Sequence, residues 1–207
     1  MRTTLYYFHD PMCSWCWGYS HTWNQLQQLL PDHIGVEYVV GGLAPDSDIP
    51  MPASMAQTIQ THWKRIESEL GTRFNYDFWV KCSPKRSTYP ACRAVLAAEK
   101  QQQQKAMIQR IQEAYYLEAK NPSEQSTLIK LAEEIGLDPV KFTADINSTE
   151  IEQELQDQIQ LTRQSPIQGF PSLLLVKGSI HYPTSVGYPI PVDYHSPHTT
   201  IEAILRC

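Results

Sequence analysis

Two cysteines near the start of the chain have the spacing of a reactive pair: Cys13-Ser14-Trp15-Cys16. On a helix, Cys16 would lie one turn after Cys13 and on the same face. A thiolate at Cys13 can attack a disulfide, and Cys16 can then attack the mixed disulfide and release the substrate. We therefore interpret Cys13 as a nucleophile and Cys16 as its resolving thiol.

The elements around this pair would place the first sulfur at the beginning of a helix. Residues 4–8 are β-branched and aromatic, and Asp10-Pro11 ends this predicted strand. Helical spacing of apolar residues runs from Cys13 to Pro31, and alternation over residues 34–40 predicts a second strand. Such a strand-helix-strand unit favours parallel pairing. Unpaired N–H groups and the helix dipole would then stabilise a thiolate at Cys13.

Two other uses of the cysteines have to be weighed. The pair could be half of a zinc site, but Cys82 and Cys92 lack the short spacing of a second zinc-binding pair. We favour redox chemistry and expect no metal. Cys82 and Cys92 could form a regulatory disulfide if a loop brings them together, although two separate thiols are the favoured interpretation.

Composition restricts the partners and the compartment. The chain has 207 residues, 42% of them hydrophobic, and a formal net charge of −5. This charge argues against nucleic acid as a partner, and no apolar stretch is long enough for a membrane span. No basic segment followed by a long apolar stretch opens the sequence, so we expect a cytoplasmic protein. Stable structural disulfides are rare in that compartment, which favours a catalytic role for a close cysteine pair.

The remainder of the chain predicts an α/β protein with a helical insertion. Residues 53–163 show helical periodicity, and residues 172–177 form a short apolar run typical of a buried strand. A turn at Gly178-Ser179 would lead into a strand at residues 180–182, followed by a Pro-rich loop over residues 183–197 and a closing helix over residues 199–205. We predict one domain made of residues 1–48 and 164–207, interrupted by an all-helical domain at residues 49–163.

The segment Asp10-Pro11-Met12-Cys13-Ser14-Trp15-Cys16-Trp17-Gly18 resembles the DsbA family, particularly its cytoplasmic branch related to FrnE-like proteins and 2-hydroxychromene-2-carboxylate isomerases. The resemblance implies a thioredoxin-like fold with a helical insertion after the first strand-helix-strand unit. A cis-proline loop, a hairpin and a final helix would follow the insertion.

The same resemblance implies a substrate site. Gly169-Phe170-Pro171 would be the cis-proline loop, with Pro171 against the Cys13 sulfur and the Phe170 backbone available to an extended substrate. Two positions depart from the family pattern. Many members of this branch have proline after the first cysteine, where this chain has Ser14-Trp15, and many have a small or β-branched residue at the position of Phe170.

Four residues near the pair have candidate roles beside simpler ones. His9 and Asp10 are candidates for proton transfer, although a single histidine at a strand end more often only packs or lies on the surface. Ser14 and Trp15 are candidates for substrate binding, with Trp15 as an apolar platform.

These residues predict a thiol:disulfide oxidoreductase or protein disulfide isomerase. We expect it to act on protein or peptide thiols and disulfides, without a bound cofactor and with glutathione as a candidate reductant. Two alternatives remain open: a glutathione-dependent isomerase or transferase of the same fold, in which the first cysteine is typically serine, and a non-catalytic binding module. Neither the direction of exchange nor the oligomeric state follows from the residues.

Overall fold

The computed structural model describes residues 3–178 and 187–207. Within these ranges the strands are β1 (Thr3–His9), β2 (Ile34–Val40), β3 (Ser172–Lys177) and β4 (Gly187–Ile190). They form one sheet in the order β2-β1-β3-β4. β1 pairs with β2 in parallel, as predicted, and β1 with β3 and β3 with β4 antiparallel.

One helix joins β1 to β2, a series of helices separates β2 from β3, and a last helix ends the chain. They are α1 (Ser14–Leu29), α2 (Ala53–Leu70), α3 (Phe78–Lys81), α4 (Tyr89–Glu99), α5 (Gln104–Tyr116), α6 (Gln125–Glu134), α7 (Pro139–Ile146), α8 (Thr149–Gln164) and α9 (Pro197–Arg206). Helices α2–α8 cover the segment where the sequence predicts an insertion, residues 49–163, and α8 ends one residue beyond it at Gln164. No helix in the described ranges is long and apolar enough to cross a membrane.

Several of these helices are capped at the N-terminus by a side chain that accepts hydrogen bonds from free backbone N–H groups. The Asp138 side chain accepts from the N–H groups of Val140 and Lys141 at the start of α7. Ser148 begins α8 in the same way by accepting from Ile151. Each of these oxygens satisfies donors that a helix leaves unpaired in its first turn, which is why the polypeptide turns into a helix at these points.

Two of the buried clusters in the described ranges pack around the beginning of α1. The larger one joins the face of the sheet that carries Leu5 and Tyr7 to α1, α9 and the helices α4–α8. The smaller one is aromatic and surrounds Trp63 of α2, with Phe74, Phe78, Tyr115 and Tyr116 among its members. Trp17, directly after the cysteine pair, stacks on Tyr116 with ring centres 5.7 Å apart. The inserted helices therefore pack directly against the beginning of α1.

The last strand corrects part of the sequence interpretation. The strand expected at residues 180–182 lies outside the described residues, but residues 187–190, expected as loop, form β4. Gly187 and Pro189 are poor strand formers, and proline is tolerated in strands mainly at sheet edges. β4 is the outermost strand, and its pairing with Leu173–Val176 of β3 overrides the low propensity.

Candidate active site

The cysteine pair lies where β1 ends and α1 begins. Cys13 is the residue before the first helical residue, with an extended backbone (φ −80°, ψ 117°). Its carbonyl accepts the Trp17 N–H at 3.1 Å, and its own N–H donates to the Asp10 carbonyl at 3.0 Å. Both cysteines are free thiols. Cys13 is 8% exposed, whereas Cys16 is fully buried, so Cys13 is the thiol that a substrate can reach.

The environment of Cys16 keeps it in the thiol form. Burial raises the pKa of the Cys16 thiol well above its ordinary value, and the neighbouring Cys13 raises it further. A hydrogen bond to the Asp10 backbone acts in the opposite direction with a smaller effect. Cys16 is therefore poorly nucleophilic in the resting protein, which suits a residue that acts second.

The loop before β3 meets Cys13 directly. The Cys13 thiol donates to the Phe170 carbonyl, with an Sγ to O distance of 3.6 Å. The Phe170–Pro171 peptide bond is cis, the form that the family resemblance implied, and Pro171 is buried. The structure thus brings Cys13, Phe170 and Pro171 together although more than 150 residues of sequence separate them.

Asp10 joins the cysteine loop to two distant segments. Its Oδ1 accepts the Met12 N–H at 2.8 Å. Its Oδ2 accepts from the Leu43 N–H at 2.8 Å, the Thr88 hydroxyl at 2.7 Å and the Cys92 thiol at 3.6 Å. Complete burial raises the pKa of the Asp10 carboxyl, and these hydrogen bonds limit the increase. With four donors on its two oxygens, Asp10 is suited to anchoring the loop rather than to exchanging protons.

His9 is packed among aromatic rings at the end of β1. It is fully buried, and neither ring nitrogen has a hydrogen-bond partner in the described part of the chain. Its ring stacks on Tyr7 at 5.2 Å and meets the Tyr38 ring edge-on at 5.8 Å. Burial lowers the pKa of His9 from 6.5 to about 3. His9 is therefore neutral near pH 7, and its contacts favour packing over proton transfer.

Ser14 and Trp15 line a cleft of about 310 Å³ beside Cys13, here called the Cys13 cleft. Trp15 is half-buried, and its ring is held on two sides. The Arg65 guanidinium lies 5.4 Å from the centre of the Trp15 ring, and the Tyr194 ring meets it nearly edge-on at 5.4 Å. Trp15 is therefore a fixed wall of the cleft and not a freely exposed platform.

Most of the Cys13 cleft comes from residues that the sequence did not single out. They come from the loop before α1, the loop after β2, α2, the segment before α4, and α5: Met12, Leu43, Met51, Met55, Thr58, Ile59, His62, Lys85, Arg86, Ser87, Thr88 and Tyr115. The adjacent cations Lys85 and Arg86, between Cys82 and Cys92, are the one sequence feature that points to this cleft, since paired cations are a common feature of binding surfaces. The other residues share no motif or spacing, because the insertion brings them together only in the folded chain.

The remaining cysteines have separate partners. Cys82 donates to the Ala119 carbonyl at 3.1 Å, and Cys92 donates to Asp10. Both are free thiols, as the favoured sequence interpretation holds. Across residues 3–178 and 187–207, no group of three or more His, Cys, Asp or Glu side chains is arranged to hold a metal ion.

Comparisons with solved structures agree with this architecture. A protein from Nitrosomonas europaea, described as a candidate protein disulfide isomerase, superposes with a TM-score of 0.85 and 26% identity, covering 100% of this chain and 97% of that one. The cytosolic disulfide reductase DsbM from Pseudomonas aeruginosa gives a TM-score of 0.78 and 25% identity, with 98% of each chain covered. DsbM has also been solved with glutathione, and that structure gives a TM-score of 0.75.

Sequence comparisons add more distant relatives and the family. The ClpXP adapter protein SpxH of Halalkalibacterium halodurans is 23% identical over 194 residues, which cover 86% of this chain and 63% of that protein. SpxH of Bacillus subtilis is 24% identical over 82% of this chain and 56% of its own length. The chain thus matches less than two thirds of these curated relatives. The family model described as thioredoxin matches residues 6–183. The chain therefore belongs to the thioredoxin family, and its fold is that of the DsbA-like oxidoreductases.

Proposed function

We propose that this protein is a thiol:disulfide oxidoreductase that exchanges disulfides in protein or peptide substrates through Cys13 and Cys16. One observation carries the proposal. Cys13, the more accessible thiol of the pair, lines a cleft at the beginning of α1, and the fully buried Cys16 lies one turn behind it. Two-step exchange requires a nucleophilic thiol that is open to substrate and a second, protected thiol behind it.

The proposed reaction transfers two electrons from the protein to the substrate. The Cys13 thiolate attacks one sulfur of a substrate disulfide, a Cys13–substrate disulfide forms, and the other substrate sulfur leaves as a thiolate that takes up a proton. Cys16 then loses its proton and attacks Cys13 Sγ. The Cys13–Cys16 disulfide forms, and the second substrate thiol leaves. Isomerisation uses the first step alone, followed by attack of another substrate thiol on the mixed disulfide.

A thiol reductant has to reset the oxidised pair, and we propose glutathione for this role in a cytoplasmic protein. Two glutathione thiols reduce the Cys13–Cys16 disulfide and leave as glutathione disulfide, so the protein needs no bound cofactor. DsbM is described as cytosolic and has been solved with glutathione. The cations that line the Cys13 cleft would also suit a tripeptide that carries carboxylates.

Trapping of the mixed disulfide tests the proposal. With Cys16→Ala, the second step is blocked, so Cys13 should remain joined to its substrate, and mass spectrometry of the isolated adduct identifies the partner. Cys13→Ser is the matched control and should trap nothing. The proposal fails if Cys16→Ala forms no adduct and the wild-type protein neither reduces insulin nor oxidises a dithiol peptide.

The same variants separate the two alternatives. SpxH relatives are described as adapter proteins, so a binding role without catalysis would appear as partner capture that Cys13→Ser leaves unchanged. A glutathione-dependent isomerase would bind glutathione and convert a small substrate without forming a trapped adduct. Retention of both cysteines favours exchange over either alternative, because neither of them needs Cys16.

A further inference from the structure

We infer that the Cys13 cleft selects substrates that carry carboxylates next to the reacting sulfur, and that Arg86 is the residue that distinguishes them. This inference deepens the proposed function and rests on it, since it concerns the segment attached to the sulfur that Cys13 attacks. It follows from the charge of the cleft, the ion pairing of its cations and the apolar character of the rest of its lining.

The cleft has the opposite charge from the protein as a whole. The chain carries a formal net charge of −5, so the protein as a whole would repel an acidic segment at long range. The cleft is lined by Lys85, Arg86 and His62, and no Asp or Glu occurs among its described lining residues. A cleft lined with one sign of charge focuses the electrostatic potential and raises the local concentration of ligands of the opposite sign.

The two cations differ in how far they are already neutralised. Lys85 lies 3.2 Å from Asp48 and 3.3 Å from Glu124, and these two carboxylates offset its charge. Arg86 is exposed and makes no ion pair within the described part of the chain. A guanidinium without a carboxylate partner can bind one in a bidentate manner. Arg86 therefore offers the uncompensated charge of the cleft.

The rest of the cleft is largely apolar and adaptable. Met12, Met51 and Met55 line it, together with Ile59 and Trp15. Methionine side chains are flexible and polarisable, so they pack against segments of different shape. Contacts of this kind contribute affinity with little sequence preference, which leaves charge as the discriminating feature. An extended acidic segment with ordinary apolar residues fits both parts of this lining.

Matched peptides test the inference. Three peptides share one cysteine capped as a thiopyridyl disulfide and differ only in the flanking residues, which are Asp, Ser or Lys. Release of thiopyridone by the reduced wild-type protein gives the second-order rate constant for each peptide. We expect the acidic peptide to react on the order of ten-fold faster than the basic one at low salt. At about 1 M salt, where the Debye length is about 3 Å, the ratio should fall to about two-fold.

Variants assign the preference to Arg86. Arg86→Gln should reduce the acidic-to-basic ratio to about three-fold or less, and Arg86→Glu should bring it to about one or invert it. Lys130→Gln removes an equal charge from an exposed position on α6 outside the cleft, so it should keep the wild-type ratio. An unchanged ratio in Arg86→Glu, or equal rates for all three peptides in the wild type, would overturn the inference.

The same assay distinguishes failure of this inference from failure of the proposed function. Equal reaction with all three peptides supports the exchange activity and contradicts the selectivity, whereas no reaction with any peptide contradicts both.

Glutathione and an acidic protein segment share the required chemistry, so S-methylglutathione is added as an unreactive competitor. If it slows the acidic peptide, tripeptides use this surface as well. If it does not, the surface selects longer acidic segments.

Discussion

The Phe170 ring lies against the backbone of Gly41, so close that a Cβ atom on Gly41 would come within 1.9 Å of Phe170 Cζ. This contact joins the loop after β2 to the loop before β3, whose carbonyl accepts the Cys13 thiol. Phe170 thus fills the space that a side chain at position 41 would need. The large residue before Pro171, which departs from the family pattern, is matched here by the absence of a side chain opposite it.

Gly41→Ala should therefore displace the Phe170 ring and the loop beside Cys13. We expect the free energy of unfolding to fall by about 1–3 kcal/mol, as for other overpacked sites, and disulfide exchange to slow. Urea unfolding and the insulin reduction rate are the measurements. In a Phe170→Ala background the same change at Gly41 should cost almost no stability, because the clash is gone. An equal cost in both backgrounds contradicts the proposed contact.

Asp10→Asn should destabilise the protein because an amide nitrogen cannot accept the N–H donors that meet the carboxylate. A loss of about 1–3 kcal/mol in the free energy of unfolding is expected. Asp77→Asn, at an exposed ion pair with Lys81, is the control and should change stability by less than about 1 kcal/mol.

Asp10 also gives the protein a pH dependence with a defined sign. Its folded pKa is raised by burial above the ordinary value of 3.8. The folded state therefore binds the proton of the Asp10 carboxyl more tightly than the unfolded chain does. The stability that this proton contributes is lost as the pH rises from 3.8 through the folded pKa. The cost of Asp10→Asn should accordingly be larger at pH 4 than at pH 7. A cost that shrinks at low pH would contradict the raised pKa.

His9 should have the opposite pH dependence. Its pKa is about 3 in the folded protein and 6.5 in an accessible histidine, so between these values only the unfolded chain binds the proton. Stability contributed by neutral His9 is present above pH 6.5 and is lost as the pH falls toward 3. His9→Phe keeps an aromatic ring and cannot titrate. Only the wild type should therefore lose stability through this residue as the pH falls. The unfolding free energy of His9→Phe minus that of the wild type should rise by a few kcal/mol from pH 7 to pH 4.

Trp63 should be the most costly single truncation in α2. It is fully buried and contacts six aromatic rings: Phe74, Tyr76, Phe78, Trp79, Tyr115 and Tyr116. Trp63→Ala should lower the free energy of unfolding by about 3–5 kcal/mol. Trp63→Phe should cost clearly less, because it keeps a ring and removes a buried indole N–H that has no partner within the described residues. Chemical denaturation of both variants measures the difference.

Local sequence patterns were sufficient to predict the strands and helices around the cysteine pair. Alternation over residues 34–40 and the apolar run at 172–177 coincide with β2 and β3. The closing helix begins at Pro197, two residues earlier than predicted, because the Ser196 side chain accepts the His198 N–H. Such signals lie within a few residues of each other, which is why they can be recognised without the fold.

Long-range contacts could not be predicted in the same way. The hydrogen bonds from Thr88 and Cys92 to Asp10, and the fit of Phe170 to Gly41, depend on how the helices between β2 and β3 return to the sheet. The strand β4 was missed because Gly187 and Pro189 suggest a loop, and only the exposed edge of β3 makes them a strand. Arg86 became a candidate specificity residue only because the fold places it in one cleft with residues of α2 and α5.

The register of the sheet has a consequence for how this architecture can diversify. Phe8 of β1 is opposite both Val39 near the end of β2 and Ser172 at the start of β3. The long helical excursion therefore departs and rejoins at one rim of the sheet, the rim that carries the two sulfurs. Its length and composition can change without altering the order of the strands, and every such change is presented at the reactive centre. Selection can thus remodel the surface around the two sulfurs while the scaffold that holds them is inherited intact.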